Sequence, residues 1–176
     1  MKLRLEVRHN TEARAEIEKL KNARTFVGWF GDTKYDDSTS VSRVASWQEF
    51  GTANIPARPF MRPAKNKNLG KWTNVLKHNL QSTHNVNQSL DALALVVAGD
   101  IRQAIVDVTQ PPLSPATIQA RMRQYTMPKF SSKLSDKELK EKKQQWIQKR
   151  FTDSITKPLI DTGLMISSVS HKTEAK

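Results

Sequence analysis

Apolar and charged residues alternate at the start of the chain, with Leu3, Leu5 and Val7 set against Lys2, Arg4, Glu6 and Arg8. That period of two predicts a half-buried strand. Beyond Asn10 or Thr11 as a cap, Ala13, Ile17 and Leu20 recur at helical spacing among Glu and Lys, which predicts a short amphipathic helix. Phe26-Val-Gly-Trp-Phe30 reads as a buried strand ended by Gly31 and Asp32, so the opening is β-α-β. Residues Thr33 to Ser40 are turn formers and charges around one Tyr, the pattern of a loop or hairpin tip. From Val41, the positions Val44, Ala45, Trp47 and Phe50 fit a short helix that Gly51 stops with a left-handed cap.

Three prolines in the eight residues from Pro56 to Pro63 forbid regular helix or central strand, which makes Asn54 to Pro63 a rigid extended connector. Pro63 itself suits the first turn of a new helix. That helix carries Leu69, Trp72, Leu76 and Leu80 on one face and breaks in the polar run Gln81 to Gln88. The strongest helical pattern follows, capped by Ser89: Leu90, Leu93, Ala94, Val97, Ile101, Ala104, Ile105 and Val108 form one stripe, and the core belongs there. Gln110 to Pro115 ends it, with Ser114 and Pro115 as cap and first residue of the next helix. Ser135-Asp-Lys-Glu138 is a capping box that opens a helix from Asp136 to Phe151. Lys157 to Leu164 reads as a turn, Met165 to His171 as a short strand, and the HKTEAK tail as a frayed end.

Composition removes several chemistries. With no cysteine among 176 residues, a disulfide scaffold, a thiolate metal site and a cysteine nucleophile are excluded. The start lacks the long apolar stretch of a signal peptide, and Leu93 to Gly99 is too short to cross a bilayer, so no membrane partner is expected. His78 and His84 lie on different helical faces rather than one turn apart, against a zinc site. No Gly-x-Ser-x-Gly elbow or phosphate-cradling glycine loop is present. The expectation is no enzyme and no cofactor. The charge points elsewhere: 29 Lys and Arg against 17 Asp and Glu give a net +12. Lysines 65, 67, 71 and 77 flank the Trp72 helix. Residues Met127 to Arg150 hold a second cluster with a local net charge of +5. Such surfaces meet phosphate backbones by counterion release, but they are also ordinary solvated faces.

The segment Val44-Ala-Ser-Trp-Gln-Glu-Phe-Gly-Thr-Ala-Asn-Ile-Pro-Ala-Arg-Pro-Phe-Met-Arg-Pro-Ala64 resembles a signature of small tail-completion or neck proteins of long-tailed double-stranded DNA bacteriophages. In that family a helix ending in Glu-Phe-Gly-Thr is followed by Ile-Pro-x-Arg-Pro-Phe and a further Arg-Pro. Phe26-Val-Gly-Trp-Phe30, Pro112-Leu-Ser-Pro-Ala-Thr-Ile118 and Lys157-Pro-Leu-Ile-Asp-Thr-Gly-Leu-Met165 follow the family's order. The likeness departs at the long lysine-rich stretch.

The resemblance implies an α+β fold, a small, mostly antiparallel sheet packed on one or two long helices. The chain reads as one domain over residues 1–176, and the lysine-rich composition and thin apolar stripe of 127–151 make that stretch a basic helical insertion or peripheral arm. The resemblance further implies a structural virion protein without catalysis, a sixfold or twelvefold ring between head and tail. Its partners would be copies of itself, the head connector or head-completion proteins, and the tail terminator or tail tube. It would sit in the virion neck after assembly in the host cytoplasm. Rivals are a tail terminator capping the tube, and a basic DNA-binding accessory protein. The expected interface comprises Phe50, Gly51, Ile55, Pro56, Arg58, Pro59, Phe60, Met61 and Arg62, with Phe60 and Met61 presented between arginines; the bland alternative is that Phe60 plugs its own core. Lys133, Lys137, Lys140, Lys142, Lys143, Lys149 and Arg150 are the candidate DNA-facing residues, making weak, salt-sensitive contact with duplex in the channel.

Overall fold

The computed structural model describes residues 11–124, 135–150 and 156–175. The expected strand over residues 3–8 lies outside them, as does residue 151. Helix α1 (Thr11–Asn22) runs directly into strand β1 (Ala23–Gly28). Helices α2 (Val41–Phe50), α3 (Met61–Thr83), α4 (Val86–Asp107), α5 (Pro115–Gln124), α6 (Asp136–Arg150) and α7 (Leu164–Ser167) follow, and strand β2 (Ser170–Ala175) closes the chain. The fold is α+β. A two-stranded antiparallel sheet packs against α4, which pairs on another side with α3.

Helix α4 is the centre because its stripe is the most continuously apolar in the chain. Ala98, Ile101 and Ile105 are buried with Val41 and Ala45 of α2, Phe60, Leu159, Met165 and Val169. Leu90 and Ala94 extend the buried stripe toward the helix start. Helices α3 and α4 form a hairpin whose turn is made by His84 in left-handed conformation (φ 51°) and Asn85, whose Oδ1 accepts from Gln88 N at 3.1 Å. A second tie holds the pair: Asp100 accepts from Lys71 Nζ at 2.7 Å and from Trp72 Nε1 at 2.7 Å.

Several boundaries differ from the sequence expectation. Ser89 is not the cap of α4. It lies one turn inside, fully buried, with its hydroxyl donating to Asn85 O at 2.7 Å, because Asn85 caps one turn earlier. Strand β1 starts earlier than expected and ends at Gly28, leaving Phe26 and Phe30 exposed while Val27 and Trp29 turn inward. Of the strand expected from Met165 to His171, only Ser170 and His171 are strand, as the start of β2. Leu164–Ser167 forms a short helix, and both Ile166 within it and Val169 just after it reach the core. His171 to Ala175 of the tail are not frayed: they belong to β2, with Gly28 opposite Ser170 and Ala23 opposite Ala175. The Thr25 and Thr173 hydroxyls meet at 3.1 Å across that ladder. Ser114 and the Ser135 box take the cap positions expected of them, and Gly51 ends α2 as expected but with φ 77° and ψ 173° rather than the left-handed helical pair.

Because Ile105 is fully enclosed, Ile105→Ala should lower unfolding free energy by about 3 kcal/mol. Leu95→Ala, on the exposed face of the same helix, should stay within about 0.5 kcal/mol. Urea denaturation of both variants checks the placement of the core.

Candidate functional site

The proline-rich connector is built around a buried carboxylate. Helix α3 starts at Met61 with Phe60 at its N-cap, a residue with no side chain able to accept a hydrogen bond. The first N–H groups of a helix need acceptors. Here Glu49, from the last turn of α2, supplies them: its carboxylate accepts from Phe60 N at 2.7 Å, Met61 N at 2.9 Å and Arg62 N at 3.1 Å. Arg62 closes the exchange, with Nε donating to the Glu49 carboxylate at 2.9 Å and a terminal nitrogen donating to the Glu49 carbonyl at 3.0 Å. Burial to 3% exposure would by itself raise the Glu49 pKa. The hydrogen bonds from Phe60, Met61 and Arg62 outweigh it and hold the carboxyl below its ordinary value.

The chain between Glu49 and Phe60 has little freedom. Gly51 adopts φ 77°, and a methyl group on it would lie 2.9 Å from the Ala57 nitrogen, so both conformation and space require glycine. Thr52 N donates to Ile55 O at 2.8 Å and Arg58 N to Gln48 O at 2.6 Å, tying the connector back onto α2. The Arg58 side chain then reaches the loop before α5, with Nε donating to Pro111 O at 2.8 Å and a terminal nitrogen to Pro112 O at 3.1 Å.

These contacts correct the expectation that Phe60 and Arg58 are presented to a neighbour. Phe60 is 1% exposed and meets the Trp29 ring edge-on, centroids 5.8 Å apart; Arg58 is 5% exposed. Phe60→Ala is therefore a core truncation rather than a selective assembly defect. Gly51, Ile55 and Met61 are half-buried, whereas Pro56, Pro59 and Arg62 are exposed. Phe50 remains outermost at 67% exposure, and the Arg62 guanidinium carbon lies 5.1 Å from its ring centroid. Trp47, one turn back on α2, is exposed as well. The block thus keeps one phenylalanine inside and offers the other, covered in part by a cation.

Of the candidate DNA-facing residues, Lys137, Lys140, Lys142 and Lys143 are exposed on α6. Lys149 and Arg150 belong to that helix by backbone, and Lys133 lies outside the described residues. Sequence reasoning missed the role of Glu49. The signal was the missing cap ahead of Met61, where no Ser, Thr, Asp or Asn precedes a helix that must begin there. It also missed Arg121, buried on α5, for which the local pattern carries no signal. The chain matches no protein-family model, no curated protein and no solved structure.

Glu49 generates a pH prediction. Its folded-state pKa lies below the ordinary 4.5, so its contribution is complete above that value and is lost as pH falls through the lowered one. Glu49→Gln should cost about 2 kcal/mol at neutral pH. The gap between wild type and variant should narrow on acidification below 4.5, measured by denaturant titration across pH.

Proposed function

We propose that the chain is a structural protein of a bacteriophage neck, a ring subunit that joins head to tail by fit rather than by chemistry. The observation that carries this reading is the architecture of the 44–64 block. Its conformation is over-determined by Glu49, Gly51 and Arg58, yet it exposes an aromatic, Phe50, flanked by Arg62 and Trp47. Aromatic and arginine side chains on a rigid support suit the centre of a protein interface, because little entropy is lost when they are covered. The interface centre in this reading is Phe50 with Arg62, not Phe60. The tail-terminator role, which shares small ring-forming α+β folds, is the nearest rival.

A second reading, a DNA-binding accessory protein, is favoured by α6, on which Lys137, Lys140, Lys142 and Lys143 are all exposed to solvent. It predicts strong salt-dependent duplex binding by the isolated protein, whereas a neck lumen calls for weak contact that lets DNA pass.

Disrupting the gene and imaging the lysate separates the roles. DNA-filled heads beside separate tails of normal length are expected. Abnormally long tails would indicate the terminator, and intact infectious particles would refute both. At residue level, Phe50→Glu should leave the melting temperature nearly unchanged, within about 0.5 kcal/mol in stability, while abolishing particle assembly in complementation.

A further inference from the structure

A groove of about 580 Å³ runs between the turn at Ile55 and Pro56 and the entry to α5 at Leu113 and Pro115. Arg58 and Arg121 line it, at 5% and 9% exposure, and among its described lining residues there is no Asp or Glu. Among the described residues the Arg58 guanidinium bonds only to neutral acceptors: the Pro111 and Pro112 carbonyls and the Gln48 amide oxygen at 3.3 Å. Arg121 is held by the Lys157 and Ile160 carbonyls at 2.9 and 2.8 Å, with Asp161 at 3.6 Å from its Nε. Asp161 lines a neighbouring cavity, not this groove. Burial lowers the Arg58 pKa, and the charge on Arg121 lowers it further, so the two guanidinium groups are close enough to repel. A buried cation met only by dipoles gains from an anion of the right shape.

The shape selects among anions. Pro56, Pro112, Pro115 and Pro158 stiffen the walls before anything binds, and Ile55 and Leu113 add apolar surface. The lining residues that are exposed and polar, Asn54, Ser114 and Thr117, are neutral. A duplex presents its phosphates on a broad convex surface and is met by protruding lysines, whereas these arginines are recessed. We propose that this groove docks an acidic extended peptide segment of a partner protein. One Glu or Asp carboxylate is taken by Arg58, with Arg121 beside it, and a neighbouring apolar side chain rests on Ile55 and Leu113. The proposal is independent of the neck reading, since it rests on charge complementarity within the groove and names no assembly.

Fluorescence polarisation of the full-length protein at low salt tests it. The probes are labelled acetylated hexapeptides with one Glu among Leu, Ala and Pro, and the same set with Gln. The Glu peptides should bind at least about tenfold more tightly than their Gln counterparts. Because Arg58→Gln threatens the fold, the variant of choice is Thr117→Glu. Ser114 already caps Thr117 N at 3.1 Å, so the new Glu completes a capping box while placing a negative charge at the groove. It should weaken Glu-peptide binding about tenfold with an unchanged circular dichroism spectrum. Equal binding of Glu and Gln peptides, no binding of either, or no effect of Thr117→Glu would overturn the proposal. Displacement of the peptide by a DNA duplex would overturn it in favour of phosphate. Self-association abolished by Thr117→Glu, without peptide binding, would overturn it in favour of a second copy.

Discussion

The structure of the proline-rich block depends on one exchange between two helix ends. Helix α3 begins where the sequence has no capping side chain, and Glu49, eleven residues before Phe60, provides the acceptor from the end of α2. In return Arg62, from the first turn of α3, donates to the Glu49 carbonyl at the end of α2. Each helix thus places its own charge on the other's terminus: a carboxylate at the positive end of α3, a guanidinium at the negative end of α2. Both macrodipoles and several orphan backbone groups are satisfied by two side chains. The price is a buried carboxylate, since Arg62 itself stays exposed, and it is tolerable because Glu49 accepts four hydrogen bonds rather than relying on Coulomb attraction alone.

The two phenylalanines of the block owe their opposite fates to this exchange. Fixing the Phe60 N–H on Glu49 sets the backbone at the start of α3 with the ring directed at Trp29, whose indole nitrogen is itself tied to Met165 O at 2.8 Å. The block is thereby joined to α7 and the C-terminal strand through the core. Phe50, the last residue of α2, lies just before the Gly51 turn and outside this network, so its ring stays at the surface with Arg62 over it. The same guanidinium that completes the helix exchange therefore also shapes the exposed edge.

Sequence periodicity was sufficient for the long elements and insufficient for the connections between them. Helix α4 was readable because Leu90, Ala94, Ile101 and Ile105 repeat on one face over many turns. Ser114 and the Ser135 box were readable because capping is local in sequence. What failed is non-local. The C-terminal residues carry no pattern that distinguishes a loose end from β2, since their strand character comes from pairing with β1, far away in the chain. Arg58 and Phe60 looked like interface groups for the same reason. A phenylalanine between arginines has the same composition whether its ring meets a neighbour or Trp29, and only the fold decides.

The net charge shows most plainly how a count can mislead. Arg58 and Arg121 add to the +12, but they are recessed in a groove and hold backbone carbonyls there, out of reach of the convex backbone of a duplex. Arg62 is committed to Glu49, and Lys71 to Asp100. Counterion release requires cations that reach a phosphate without first abandoning such partners. The exposed lysines of α6 meet that requirement by exposure; the structural arginines do not. Arginine suits the first job because its planar fork binds several fixed acceptors at once, and lysine suits the second because it is a compact charge on a mobile stem. The basic character of the chain is thus two populations with different physics: one holds the connector and the loop before α5 in place, and the other gives α6 a solvated positive surface.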